Sequence, residues 1–434
     1  MFPVLKPSMP LFALAIACAA TPAHAQNAAR LPAAMPALPA LQTPAGQALP
    51  QAVQRAQGIL QDTASSGLTQ LRRLEIEKRL RLHRDVLDTD NKGAPVLRSQ
   101  VIAIDPAPEA LQRARSAGFA VIDERSLDGL DLRIVVLRSP DGTGTRAALR
   151  KLRRLDPAGS YDFNHVYSGS AAVNAQVSTA ASATAPPSKA VRIGLIDSGV
   201  SGQHPALAGV DMKVWGCEGE AHPDAHGTAV ASLLVGGAAA GSTLYSADIY
   251  CGRPTGGAVS GFAQAMAWMA RERVGVINLS LVGPDNHLLQ RAIQALAARG
   301  HVLVAAVGND GPAAPPLFPA AYPEVIGVTA VDQRQRALPE AGRGRQVDFA
   351  ARGSQLRVAR PDGDWDTVRG TSFAAPLVAR AAAQLIGAPG EAEAIRVRAQ
   401  LIAQAVDLGS KGRDNTYGHG LLDALPTAAV AETR

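Results

Sequence analysis

Four polar side chains stand at the ends of apolar runs, and their types together could perform acyl transfer. Asp197 closes VRIGLID (191–197), just ahead of Ser198-Gly199. His226 opens HGTAVASLLVG (226–236), two residues after Asp224. Asn309 follows HVLVAAV (301–307) among glycines, and Ser372 lies in RGTSFAAPLVAR (369–380). Taken singly, each has a plain structural use: a turn or first-turn residue for Asp197, His226 and Asn309, and a helix cap for Ser372. Taken in order, they hold the parts of nucleophilic acyl transfer. A carboxylate orients an imidazole, the imidazole takes a hydroxyl proton, and an amide meets the developing oxyanion.

Those residues must be brought together by the elements that carry them. Short runs rich in Val, Ile and Leu recur at 191–197, 244–250, 274–281, 301–307 and 324–331, with helical stretches between several of them. Continuous apolar strands imply a parallel sheet buried on both faces. The pattern fits one α/β domain from residue 191 to the end. Ligands of open α/β sheets gather beyond the C-terminal strand ends, where Asp197 and Asn309 fall.

Four stretches carry a family resemblance: LIDSGV around Asp197, HGTAVAS from His226, GTSFAAP around Ser372, and AAVGND ending beyond Asn309. The chain resembles the subtilisin-like serine peptidases (subtilases, the S8 type) over about 191–425. That resemblance implies a three-layer αβα fold with a mainly parallel sheet. It assigns catalysis to Asp197, His226 and Ser372, and an oxyanion role to Asn309 together with the Ser372 N–H. VINLSLVGP (276–284) resembles the strand that holds substrate backbone. The implied substrate-binding residues are Ser280, Leu281, Val282, Gly283, Ala306, Val307 and Gly308. Val282 stands where Gly is usual, a departure that changes how a substrate side chain is received, and Val307 stands where Ala is usual. His204, in SGQHPAL, fits the family pattern as a structural residue. No triad residue or oxyanion Asn is missing, which disfavours the alternative of a catalytically silent or permanently inhibited binding protein on the same fold. Calcium enters through the resemblance alone. The sequence shows no convincing carboxylate loop, so no metal site and no cofactor are expected.

The front of the chain reads as an export and maturation apparatus. Lys6, the apolar run Leu11–Ala20 and Ala23-His24-Ala25 make a secretory signal peptide over residues 1–25. Its apolar run is too short to span a bilayer as a helix. Lipid attachment at Cys18 is the weaker reading, because Ala15-Ile16-Ala17 is a poor lipoprotein box. Residues 26–96 begin Ala/Pro-rich and turn helical from about 53, with Leu71, Leu74, Ile76, Leu80 and Leu82 as the apolar positions. Residues 97–168 read βαββαβ, a small ferredoxin-like α+β unit. The layout resembles a subtilase prodomain, with SYDFNHVYSG as an inhibitory strand. Residues 169–190 are a polar linker suited to maturation cleavage, and 191–434 the peptidase domain. Cys217 and Cys251 remain after export and are a plausible disulfide. The 434 residues carry a net charge of +6. The basic patches at 72–84 and 150–156 lack interleaved aromatics, so they read as solvated helix faces, not nucleic-acid surfaces. The expected partners are protein or peptide substrates and the chain's own prodomain, with no transmembrane segment. Location is periplasmic or extracellular.

Overall fold

The computed structural model describes residues 67–169 and 189–422. The expected signal peptide, the Ala/Pro-rich stretch and nearly all of the expected linker lie outside the described residues. The front unit holds α1 (67–82), β1 (Leu87–Thr89), β2 (Pro95–Ile104), α2 (Pro108–Ser116), β3 (Ala120–Leu127), β4 (Leu132–Arg138), α3 (Thr145–Leu155) and β5 (Ser160–Gly169). The rear unit begins with β6 (Arg192–Asp197), β7 (Asp211–Trp215), α4 (Ala225–Val235), β8 (Thr243–Asp248), β9 (Gly257–Ala258), α5 (Val259–Arg271), β10 (Val276–Leu279) and β11 (Leu281–Val282). It continues with α6 (His287–Ala298), β12 (Val302–Ala306), β13 (Val325–Val331), β14 (Phe349–Arg352), β15 (Ser354–Ala359), β16 (Trp365–Arg369), α7 (Thr371–Leu385) and α8 (Glu391–Gln404).

The rear unit is built on a seven-stranded sheet in the order β14-β13-β12-β10-β6-β8-β7, parallel at every pairing. Successive side chains of a strand point to opposite faces, and here both faces are apolar. Ile193, Leu195, Val304 and Val328 pack with α4 and α7, whereas Ile196, Ile277, Leu303 and Ala305 pack with α5 and α6. This gives three layers, αβα. The small residues of α7 serve the same end: Ala374, Ala375 and Ala379 are fully buried, so the helix lies close against the sheet.

The front unit's main sheet runs β5-β2-β4-β3, all antiparallel, which is the ferredoxin-like order. Its strands are also apolar on both faces. Val101, Ala103, Val135 and Leu137 meet α2 and α3, while Ile102, Ile104, Leu132 and Ile134 share a core with Phe262 and Met266 of α5. The second face is therefore covered by the rear unit. Polar contacts fix the docking at the start of α6. Asp162 accepts from His287 N–H at 2.7 Å, placing a carboxylate at a helix N-terminus, where the helix dipole favours it. Asn286 caps α6 through Leu288 N–H and Leu289 N–H, and its amide donates to Phe163 O at 3.0 Å. Arg291 pairs with Asp105 at 2.8 Å.

The structure departs from the sequence reading in several places. Strands β1, β7, β9 and β14 and the β15–β16 hairpin were not anticipated. In α1 the apolar stripe is not the covered face: Leu71, Leu74 and Leu82 are exposed, and Arg72 and Arg79 lie more buried than they do. The basic patch at 72–84 is thus not simply a solvated face. Finally, Ser372 does not cap α7. The cap position is Gly370, at φ +138° with no side-chain cap bond, a conformation that suits glycine.

Asn286 satisfies two helix N–H groups and one strand carbonyl while almost fully buried. Asn286→Ala, made in a Ser372→Ala chain so that both units stay joined, is expected to cost about 1–3 kcal/mol. Urea unfolding of the pair measures it.

Candidate active site

Three elements end at one place. Strand β6 ends in Asp197, beside Asp248 at the end of β8. Asp197 is fully buried. Its Oδ1 accepts from Ser198 N–H at 2.7 Å and lies 2.7 Å from His226 Nδ1, so Nδ1 carries the proton and donates. His226 sits in the first turn of α4, whose N-cap is Asp224; Asp224 accepts from His226 N–H at 2.9 Å. Between the two carboxylates lies the Ser198 hydroxyl, 3.2 Å from Asp197 and 2.8 Å from Asp224, accepting from Gly227 N–H. Residue 227 must be glycine here, because a Cβ would stand 2.2 Å from Ser198 O.

Ser372 lies in the first turn of α7, and the following residue, Phe373, places its ring 5.6 Å from the imidazole. The Ser372 hydroxyl donates to Ser280 O at 3.2 Å, and the Ser280 hydroxyl donates back to Ser372 O at 2.8 Å. His226 Nε2 is buried, with no hydrogen-bond partner among the described residues. Asn309 follows β12. Its Oδ1 accepts from Thr371 N–H at 3.1 Å, which turns its NH2 group the other way, and Gly308 N–H donates to Thr371 Oγ1 at 3.2 Å.

Burial alone would depress the His226 pKa. The charge and hydrogen bond of Asp197, with help from Asp224, outweigh burial and raise it above the ordinary value.

Two of the residues singled out for substrate binding, Leu281 and Val282, meet the end of β5. Leu281 pairs with Gly169 and Val282 with Ser168, so β5 adds antiparallel to β11. On its other edge β5 pairs with β9, Val166 with Ala258 and Tyr167 with Gly257. The Tyr167 ring is fully buried against Phe262, occupies the space beside Gly283 and donates its hydroxyl to Pro284 O at 2.6 Å. Burying a side chain of this size contributes roughly 1.5–3 kcal/mol, more than a typical ladder hydrogen bond. Ala306 and Val307 are buried at the end of β12, and Gly308 takes φ +99°. His204 bonds Ala206 N–H and Asp364 O and packs on Trp365, away from the site, as a structural residue would.

Sequence reasoning missed two contributors. Helix α1 crosses the cleft at the end of β5. Thr69 donates to Asp310 O at 3.0 Å, Arg72 lies 3.8 Å from the Asp310 carboxylate and donates to Ser168 Oγ at 3.2 Å, and Arg79, whose pKa burial lowers, faces Tyr250. The second is Tyr250 itself, whose hydroxyl accepts from Gly169 N–H at 2.8 Å. Neither carried a motif, since the partners lie 81 or more residues away in sequence.

Cys217 and Cys251 are joined as a disulfide with Cα atoms 5.2 Å apart. With Asp248 they form the one group of close ligand-type atoms among the described residues, but their sulfurs are already bonded to each other. Among the described residues no helix is long and apolar enough to cross a membrane.

The model of the subtilase family matches residues 188–420, more than half of the chain. The chain belongs to the subtilase family. Relatives of this subtilase include Subtilisin BL of Lederbergia lenta, 32% identical over 54% of this chain and 89% of its own length. Another is the minor extracellular protease Epr of Bacillus subtilis, 29% identical over 54% of this chain but 38% of its own length. The crystal structure of fervidolysin from Fervidobacterium pennivorans, a keratinolytic enzyme related to subtilisin, aligns with a TM-score of 0.64 at 19% identity, covering 76% of this chain and 62% of that one. The subtilase fold is thereby shown, and the family is one of serine endopeptidases acting on peptides or proteins.

The subtilase's imidazole can be titrated directly. In an uncut Ser372→Ala chain, the His226 ring is expected to titrate by NMR above the ordinary value of about 6.5. Asp197→Asn is expected to move it down, because the opposing charge is gone while burial remains.

Proposed function

We propose that this subtilase is an exported serine endopeptidase, made as a zymogen and working through Asp197, His226 and Ser372. The reading rests above all on β5. It lies in the cleft as a substrate strand would, and it brings Gly169 against the imidazole. In turnover the Ser372 hydroxyl leaves Ser280 O for His226 Nε2 and gives up its proton there as the oxygen attacks the scissile carbonyl. Asp197 holds Nδ1 and stabilises the imidazolium. The Asn309 NH2 and the Ser372 N–H receive the negative oxygen. Collapse breaks the C–N bond, and His226 protonates the departing amine. Water, deprotonated by the same ring, then frees Ser372.

The front unit acts as the inhibitor. Strand addition on both edges of β5 is a peptide-recognition mode that uses backbone bonds for affinity and pockets for side chains. The buried Tyr167 anchors it, and α1 closes the cleft above its end. Maturation cuts within 169–190, beyond the described end of β5. Export through a signal peptide at 1–25 agrees with the Cys217–Cys251 bond, which belongs in an oxidising compartment. The catalytically silent alternative is not favoured, because all four reacting residues are present.

Two outcomes are expected. Exported wild type should lose everything before the 169–190 segment, while Ser372→Ala keeps it, as intact mass will show; two full-length products would count against self-processing. Asn309→Ala should lower kcat roughly 10²–10³-fold with the fold intact by circular dichroism.

A further inference from the structure

Gly169 is held by two contacts that a general peptide residue could not make together. A Cβ built on it would stand 3.0 Å from His226 Nε2, 3.1 Å from Cδ2 and 3.2 Å from Cε1. It would rest on the face of the imidazole, closer than side chains normally approach. The ring has little room to give way. Nδ1 is tied to Asp197 at 2.7 Å, the backbone N–H is tied to Asp224, and Phe373 stands beside it. Gly169 does not adopt the left-handed conformation that itself demands glycine. Space, not backbone strain, therefore sets the requirement.

The second contact is the bond from Gly169 N–H to the Tyr250 hydroxyl at 2.8 Å. Tyr250 is well fixed for this task. Asp248 Oδ1 accepts from both Tyr250 N–H and Cys251 N–H, at 2.8 and 2.9 Å, making a tight turn. Cys251 is then tied to Cys217. Burial raises the Tyr250 pKa, so the group stays a neutral hydroxyl, and its oxygen accepts the Gly169 N–H. A residue without an N–H, such as proline, leaves this acceptor unmatched in a closed site.

We propose that the His226 face and the Tyr250 hydroxyl make this enzyme select glycine at the position that Gly169 occupies. Its substrates are then chains with a glycine at that point of the cleft, and alanine and proline are rejected for different reasons. Alanine meets the imidazole; proline meets it too and also lacks the donor. The inference rests on the reading of β5 as a substrate-like strand.

The test uses matured enzyme and fluorogenic peptides with the sequence of residues 164–175, carrying the native glycine, Gly169→Ala or Gly169→Pro. Active sites are counted with a fluorophosphonate. The native peptide should be cut with kcat/KM at least about 10-fold above the alanine peptide. Enzyme carrying Tyr250→Phe should cut the native peptide about 3- to 10-fold less well, mainly through KM, with a smaller glycine-over-proline ratio. Equal cleavage of the native and alanine peptides would overturn the selection. If none of the three is cut by enzyme that takes the label, the inference falls along with the substrate-like reading of β5 beneath it. An unchanged glycine-over-proline ratio in Tyr250→Phe would remove Tyr250 from it.

Discussion

A fully buried carboxylate 2.7 Å from an imidazole is the constraint around which the molecule is arranged. An isolated buried charge is costly, so it must be paired and hydrogen-bonded. Asp197 receives the Ser198 N–H, the Ser198 hydroxyl's dipole and the His226 ring Nδ1–H, all at the end of one strand. The parallel sheet makes this possible, because β6 and β8 end in register and leave a crevice into which α4 points its first turn. Gly227 permits the approach of that turn, and Asp224 fixes it. The same pairing gives His226 its raised pKa.

Helix α7 packs beside α4 on the same face of the sheet. Its start is bonded to the β10–β11 connection through reciprocal Ser280 and Ser372 contacts, and to the loop after β12 through Thr371. Ser372, the β10–β11 connection and the loop that carries Asn309 are therefore bonded to one another. Strand β5 fills the remaining edge, and its burial of Tyr167 ties occupancy of the cleft to the packing of the front sheet on α5. On the zymogen reading, such a chain stays closed until the segment after β5 is cut.

Much of this was legible in the residues. The five apolar runs of the rear unit became β6, β8, β10, β12 and β13, and the βαββαβ order of the front unit appeared with the expected strands. Such segments are specified by local pattern. What escaped was specified elsewhere. Strand β7, DMKVW, is largely exposed and has no apolar run to announce it. In α1 the leucine stripe suggested a buried face, yet the cleft floor offers Asp310 and Ser168, so arginine and threonine turn inward instead. Ser372 looked equally suited to a cap, and only the third dimension gives its hydroxyl to Ser280. Tyr250 carried no signal, because its partner Gly169 arrives from another unit.

The central claim is that the Asp197–His226 pair activates Ser372. The most direct test is the site and pH dependence of fluorophosphonate modification of the matured enzyme, read by peptide mass mapping. A base with a raised pKa stays protonated, and so inactive, to higher pH. The account predicts a single adduct on Ser372, formed at a rate that falls with decreasing pH through a point above the ordinary histidine value of about 6.5. An adduct on another residue, or a rate on Ser372 indifferent to pH and to Asp197→Asn, would contradict it.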